Sequence, residues 1–231
     1  MHLVKTGGEI SYETLSSFSQ DNMYGTYFFS NYRDFELNKP LLFTQRIGSN
    51  RANTSQTNLA LFIQDYFKPS DYAQVGVGLR YQIQTGLRDR NNFSPRFSFV
   101  LSPESSGKSI LRGGVGIVYL EHKSSVIANI KMNDGTQSDY LIIPEPGYPN
   151  PFSTTIPLRA LSQVKSVYYQ APELTNPLIY TGLFSGEYSI NESTFLKLGY
   201  LFFRGTNEFK ATDINAPVDG VRPEPNIGRI E

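Results

Sequence analysis

Few side chains in this sequence could do acid–base or metal chemistry. Histidine occurs only at His2 and His122, and cysteine is absent. Two histidines are too few for a histidine-based metal site, and without cysteine the chain has neither a disulfide framework nor a thiolate site. No Ser, His and Asp arrangement and no acid–base pair stands out. The sequence therefore predicts that the protein is not an enzyme, with no catalytic residue, no metal site and no cofactor.

Three short motifs resemble functional loops but fit turns or strands better. GKS at 107–109 lacks the glycine that a phosphate-binding loop needs five residues earlier, where Ser102 stands, and no helical pattern follows. GGVGIVY at 113–119 fails as a dinucleotide fingerprint because Tyr119 takes the place of the third glycine. NDGTQSD at 133–139 offers oxygen ligands for calcium without the spacing of an EF-hand loop. We predict a polar turn, a strand with close-packed glycines, and a second turn.

Polar side chains inside alternating segments are the more informative candidates. Arginines occur on the polar sides of three successive segments, where a charge facing lipid would cost about 2–4 kcal/mol near mid-bilayer. We expect the following residues to point into a lumen: Arg80, Gln82, Arg96, Arg112 and Lys197. One interpretation is an ion-pair ladder with Glu9, Asp65 or Glu187 that keeps the wall solvated. The other is contact with a passing substrate or a docked plug.

Composition narrows the class of protein. The 231 residues include 21 basic and 21 acidic side chains, which argues against a nucleic-acid partner held by bulk charge. The mean hydropathy is -0.33, and no run approaches the roughly 18 apolar residues of a spanning helix, so a helical membrane protein is excluded. A membrane barrel stays open, because half of its strand residues are polar.

The polar candidates lie on segments that alternate strictly with period 2, as in YAQVGVGLRYQIQT at 72–85. We predict an antiparallel meander of seven principal strands, near residues 2–14, 56–67, 72–85, 93–102, 109–120, 176–190 and 194–205. Their apolar positions should share one continuous outer surface, which includes Val75, Val77, Leu79, Phe97, Leu111, Ile117, Leu198 and Tyr200. In a soluble sandwich such a face makes a core, whereas in an outer-membrane barrel it contacts lipid.

The connections between these strands differ in length. Those at 68–71, 103–108 and 191–193 are short, and those at 15–55, 86–92, 121–175 and from 206 onward are mostly long. Since successive antiparallel strands reverse direction, all short turns fall at one end of the sheet and all long loops at the other. That sorting is typical of a transmembrane barrel. Inside the first long loop we expect extended pieces at YGTYFFS and LLFTQRIG, a helical turn or two at NYRDFEL, and a polar loop over 49–57.

The order of several motifs resembles a known family. NLALFIQDYFKPSDYAQVGVGLRYQIQT, DRNNFSPRFSFVLSP and GKSILRGGVGIVY are followed by YPNPF at 148–152, NPLIYTGLFSGEYSI and GYLFFRGTNEFKATDINAPVDGVRPEPNIGRI. Together they resemble the barrel of the Oar-like TonB-dependent outer-membrane receptors, over nearly the whole chain. The resemblance implies a bacterial outer-membrane location, contact with outer-membrane lipid, and energy-coupled uptake of an unidentified substrate.

The resemblance also implies that residues 1–231 are part of a receptor barrel, with long loops at 15–55 and 121–175. No export signal opens the sequence and no plug precedes the strands, so we expect the contact with the TonB system to lie in N-terminal parts outside these residues. An incomplete barrel would have two open edges and would not work alone. The alternative function is a secreted all-β binding or adhesion module, in which the apolar faces form a sandwich core.

Overall fold

The computed structural model describes residues 1–104, 107–153, 162–163, 165–224 and 227–230. Strands dominate this part of the chain, with two short helices among them. The strands are β1 (His2–Phe18), β2 (Thr26–Phe28), β3 (Leu42–Gly48), β4 (Arg51–Ser70), β5 (Ala73–Gln84), β6 (Phe93–Leu101), β7 (Ser109–Tyr119), β8 (Ser138–Pro144), β9 (Ser162–Gln163), β10 (Lys165–Val167), β11 (Leu178–Asn191), β12 (Thr194–Thr206) and β13 (Ile227–Ile230). The helices are α1 (Tyr32–Glu36) and α2 (Ser124–Met132).

The chain forms two compact units. The first unit consists of Met1–Glu13, Ser55–His122 and Pro172–Phe209. The second unit consists of Thr14–Thr54, Lys123–Ala171 and Lys210–Glu231, and is thus built mainly from the long connections.

The first unit is one seven-stranded sheet in the order β1-β4-β5-β6-β7-β11-β12. The ladders from β4 to β12 are antiparallel. β1 also runs antiparallel to β4, because the Lys68 N–H donates to the Met1 carbonyl at 3.2 Å while Gly8 lies beside Leu61. The predicted meander of seven principal strands is confirmed, and so is the antiparallel order.

The connections of this sheet are sorted as predicted. β4 and β5 are joined by two residues, and so are β11 and β12, where the Asn191 side chain accepts hydrogen bonds from the Ser193 N–H and hydroxyl at 3.0 Å each. Such a side-chain-to-backbone bond closes a tight turn. The connections to β2–β3 and to α2–β8 leave from the opposite ends of their strands. All described short turns therefore lie at one end of the sheet.

The polar loop expected over 49–57 is wrong, because β4 already begins at Arg51. Ala52, Thr54 and Gln56 are buried, and Arg51, Asn53 and Ser55 between them are exposed, so this stretch does alternate. The alternation is mostly between polar residue types, and hydropathy does not register it. The first long connection accordingly spans 19–50 rather than 15–55.

The second unit has a small core of its own. The sheet order is β2-β3-β8-β9, and in its β3–β8 ladder Phe43 lies opposite Ile143, both buried. Gly25 has φ +82° beneath the Phe43 ring, where a Cβ would lie 2.1 Å from a ring carbon, so only glycine fits. The expected helical turn at NYRDFEL is α1, and the side chain of Asn31 caps it by accepting from the Asp34 N–H at 3.0 Å.

Helix α2 is an element that the sequence interpretation missed. Its buried residues Ser124, Ala128 and Met132 recur every four positions, and Ala128 and Met132 pack with Ala52. Arg46 binds the carboxyl end of this helix, since its Nη2 donates to the Met132 carbonyl at 3.0 Å. The fold is therefore mostly β rather than purely β, and the 121–175 excursion is partly structured.

The first unit lacks a core of the sandwich type. Among its described residues, the buried apolar side chains are Ala60 and Leu87, while Leu198 is 69% exposed and Val115 is 60% exposed. No second sheet covers the apolar face within the described part of this unit. This arrangement argues against the sandwich alternative, because a soluble protein rarely exposes so continuous an apolar surface.

Candidate functional site

The ladder register divides the first unit into two faces, because directly opposed residues of neighbouring strands point to the same side. One rung joins Val77, Phe97, Val115, Gly182 and Phe202. The predicted apolar set lies on this side, here called the apolar face: Val75, Val77, Leu79, Phe97, Leu111, Ile117, Leu198 and Tyr200. The predicted polar set lies on the other side, here called the polar face: Arg80, Gln82, Arg96, Arg112 and Lys197. The division into two faces is confirmed.

Two carboxylates on the polar face hold three of these cations. Arg80 donates to Glu9 at 2.9 Å. Glu187 accepts from Arg112 at 2.7 Å and from Lys197 at 2.8 Å, and its register position is directly opposite Lys197. The predicted ion pairs with Glu9 and Glu187 therefore form. Exposed pairs of this kind contribute about 0–1 kcal/mol each, so they mainly set where charge lies.

Asp65 does not belong to this ladder, contrary to one of the sequence expectations. Its rung partner is Val77, which places it on the apolar face. There it is 2.6 Å from Nδ1 of His2, whose ring stacks on Phe67 at 5.4 Å. The period of 2 gives the reason, because Asp65 is an odd number of residues from every polar-face position of β4.

Arg96 differs from the other arginines of the polar face. Its rung partners on both sides are glycines, Gly78 and Gly116. A Cβ at Gly78 would lie 3.0 Å from Cγ of Arg96, so the stem of the arginine lies over the glycine. The side chain is exposed, and the ion pairs found among the described residues do not include it. Arg96 thus carries a positive charge that no carboxylate of the described residues neutralises.

A buried polar network lies at the end of the first unit from which the long connections leave. Gln84 is its centre: its Nε2 donates to the His122 carbonyl at 3.0 Å, and its Oε1 accepts from the His122 N–H at 2.9 Å. Nδ2 of Asn176 donates to Oε1 of Gln84 at 3.1 Å and to the Leu120 carbonyl at 2.8 Å. Nδ2 of Asn92 donates to Oδ1 of Asn176 at 3.2 Å. The network joins the two ends of the β5–β6 connection and the two ends of the β7–β11 connection, and buried bonds of this kind are costly to break.

The imidazole of His122 is buried beside this network. It is 1% exposed, its ring lies 4.7 Å from that of Phe209, and neither ring nitrogen has a hydrogen-bond partner among the residues that the structure describes. Burial lowers the pKa of His122, because the charged form would lose hydration without gaining a partner. The neutral ring is therefore the form that this fold accommodates.

The sequence analysis did not predict a role for the residues of this network: Gln84, Asn92, His122 and Asn176. Their partners are backbone groups and amides far away in sequence, and no local motif marks such contacts. The only signal is compositional, since amide side chains occur at or next to the ends of the strands, at Gln84, Asn92 and Asn176.

The three motif interpretations hold. At GKS, Gly107 has φ +67° and its N–H donates to the Glu104 carbonyl at 3.0 Å, and strand β7 follows. In GGVGIVY, a Cβ at Gly113 would lie 2.3 Å from the ring of Phe99, so the glycine lets that ring pack on the strand. In NDGTQSD, Asp134 accepts from the Thr136 hydroxyl at 2.6 Å, and this bond is the largest cause that lowers the pKa of the Asp134 carboxyl.

No group of three or more metal-ligating side chains occurs in the described ranges. No helix in this portion of the chain is long and apolar enough to cross a membrane.

The family model for an outer membrane beta barrel domain matches residues 1–92 and 87–230. The chain belongs to that family. No curated protein and no solved structure matches it.

An outer-membrane β-barrel domain resides in the outer membrane and contacts its lipid, and proteins of this kind are typically non-enzymatic. The exposed apolar face of this domain now has a physical explanation, since hydrocarbon rather than a second sheet can cover it. The same membership accounts for the sorted connections, because short turns on one side and long loops on the other are typical of such domains.

Proposed function

We propose that this outer-membrane β-barrel domain is part of the barrel of an Oar-like TonB-dependent receptor, which takes up a solute by energy coupling. In this proposal the polar face lines the lumen, and Arg80, Gln82, Arg96, Arg112 and Lys197 meet the aqueous path. The contact with the TonB system belongs to polypeptide outside these residues. The motif order of the sequence supports the family, and the sheet supports a barrel with an even number of strands.

The observation that carries the proposal is the direction of the two edge strands. Seven strands make six antiparallel pairings, so β1 and β12 run in the same direction. They cannot close the sheet on each other by an antiparallel ladder. In lipid an open edge leaves unpaired backbone groups, each costing several kcal/mol. We infer that other strands pair with both edges.

The parity of the strands that would pair with both edges is that of any even-stranded barrel, and a large receptor barrel satisfies it. Because β1 and β12 run in the same direction, an odd number of strands must lie between them for an all-antiparallel closure. Plugged outer-membrane transporters have about 22 strands, so about 15 would be added, which is odd.

The polar face is assigned to the lumen because placing charged side chains in lipid costs free energy. Arginine or lysine facing lipid costs about 2–4 kcal/mol at the midplane. Arg80, Arg96, Arg112 and Lys197 share one face, and the opposite face is dominated by Val, Leu, Phe and Tyr. Turning the sheet around would expose all four charges to hydrocarbon.

Labelling of intact cells tests the orientation. The chain has no cysteine, so Tyr24→Cys in a long connection and Ser193→Cys in a short turn give single labelling sites. A membrane-impermeant maleimide should label the first in intact cells and the second only after the outer membrane is permeabilised. Equal labelling in intact cells would contradict the receptor orientation. Recovery of the protein from the medium, soluble without detergent, would favour the secreted module.

The proposed coupling of uptake to the TonB system needs a separate test. The full-length receptor that contains this domain should form, in the membrane, a photo-crosslink between its polypeptide outside these residues and the carboxy-terminal domain of TonB, and a competing TonB-box peptide should suppress it. If no crosslink forms while the labelling pattern is as expected, the domain belongs to an outer-membrane barrel that is not coupled to TonB.

A further inference from the structure

We propose that the polar face binds an anionic solute, one that carries a carboxylate or a phosphate group. This inference rests on the proposed function, because it assigns a substrate class to the lumen side of the same wall. It rests on three features of that face: an excess of positive charge, a clearing of small residues around Arg96, and a cavity beside Lys197.

The ion pairs of the polar face leave part of its positive charge uncompensated. Arg80 is neutralised by Glu9, but Arg112 and Lys197 share the single carboxylate of Glu187. Arg96, which has no carboxylate partner in the described part of the chain, adds a second uncompensated charge. Four cations and two carboxylates leave an excess of two positive charges on this part of the face.

The charges are not spread evenly. From the rung of Arg80 to the rung of Arg112, the polar-face positions of β5, β6, β7, β11 and β12 contain no acidic residue. Glu187 lies one rung beyond Arg112, towards the short turns. A low-dielectric wall lined by one sign of charge focuses the field and concentrates counter-ions. The middle of this face is therefore a place where an anion is stabilised.

Small residues leave room for a ligand next to Arg96. Its rung partners are Gly78 and Gly116, and the next rung joins Gly76, Ser98 and Gly114. The open side is the one towards β7, with Gly116, Ser98 and Gly114, whereas on the β5 side Gln64 lies over Gly78 and the ring of Tyr66 lies over Gly76. A carboxylate or phosphate could thus approach the planar donor face and take two parallel hydrogen bonds, which is the geometry that arginine favours.

A cavity on the polar face suits a small molecule. It has a volume of about 430 Å³ and lies at the short-turn end, between Ser189, Phe195, Glu187 and Lys197. Small-molecule sites in proteins have volumes of about 300–1,000 Å³. The lining has two ammonium groups, Lys108 and Lys197, against the single carboxylate of Glu187, together with a hydroxyl and an aromatic ring, so a solute with an anionic group and an apolar part fits it. A flat acidic protein segment would not require a cavity of this kind.

Spin labelling of the membrane-embedded protein tests the inference. A nitroxide on Ser98→Cys stands between Gly76 and Gly114, one rung from Arg96, and Val115→Cys on the apolar face is the matched control. The probes are chromium oxalate, a trianion, the uncharged nickel complex NiEDDA, and oxygen. The ratio of chromium oxalate to NiEDDA collisions at position 98 should exceed that of a free nitroxide in buffer. Arg96→Gln should lower this ratio by about twofold or more at low salt, and pyrophosphate should protect the label from chromium oxalate where sucrose does not.

The outcomes separate the two proposals. A ratio that Arg96→Gln and Arg112→Gln leave unchanged, together with equal effects of pyrophosphate and sucrose, would overturn the anionic-solute inference. A label at 98 that none of the three probes reaches would also overturn it, in favour of a docked protein segment. If oxygen alone reached position 98 while both metal complexes reached position 115, the faces would be reversed and the proposed function itself would fail.

Discussion

The two units of this domain bury apolar side chains in different ways. In the second unit Phe43, Ile143 and Ala128 are almost fully buried within the protein. In the first unit the large apolar side chains of one face are exposed, and the buried positions are mostly polar, such as Gln84, Asn92 and Asn176. A soluble protein rarely exposes an apolar surface as large and continuous as that of the first unit. The difference shows that the first unit depends on lipid for the burial that the second unit achieves by itself.

The largest effect is expected in the core of the second unit. Ile143→Ala should destabilise that unit by about 2–5 kcal/mol, because it empties a site that is fully buried opposite Phe43. Limited proteolysis of the long connections should speed up accordingly. Ile214→Ala, at a position in the same unit that is 59% exposed, is the control and should leave the cleavage rate nearly unchanged.

The next prediction uses the same substitution on the two faces of the sheet. Val115→Arg should cost about 2–4 kcal/mol in a bilayer. Leu183→Arg should cost little, because Leu183 lies opposite Gly114 on the polar face. Both side chains are exposed in the protein, so an aqueous fold would tolerate both changes. Urea titration of the folded band in lipid vesicles measures the difference. Equal costs would show that lipid does not cover the apolar face.

A third prediction concerns the pH dependence of the polar network. The folded state lowers the pKa of His122 below its unfolded value, so the unfolded chain binds more protons as the pH falls. The contribution of the neutral ring is fully present above the unfolded value of about 6.5 and is lost as the pH falls through the lower folded pKa. Thermal unfolding at pH 7.5 and pH 5 should show a loss of stability that His122→Phe reduces. A variant with an unchanged pH profile would exclude His122 as its source.

The smallest effect is expected from the ion pair at the β1 side of the polar face. Arg80→Gln should change the free energy of unfolding by about 1 kcal/mol or less, because the Glu9 side chain is well exposed. Glu9→Gln should have a similarly small effect, and the double variant should be nearly additive. A coupling energy well above this range, from a double-mutant cycle in lipid vesicles, would indicate that the pair is shielded from water.

Much of the sheet could be predicted because hydropathy records it directly. Val77 and Phe97 alternate with glycine, arginine and serine, so period 2 and the turns were enough to derive seven strands and two faces. The start of β4 could not be derived, because Thr54 and Gln56 are buried without being apolar. The network around Gln84 was also beyond prediction, since it depends on a bond to Asn176, 92 positions away. Asp65 was misassigned because charge was weighed before the register.

The most direct test of the two faces uses tryptophan, which the chain lacks. Phe97→Trp lies on the apolar face, and Phe203→Trp lies on the polar face, on the rung of Thr181. In vesicles that contain lipids with brominated acyl chains, fluorescence from position 97 should be strongly quenched. Fluorescence from position 203 should be spared by the brominated lipid and quenched by aqueous iodide. Quenching of position 203 by brominated lipid, with position 97 open to iodide, would contradict the account.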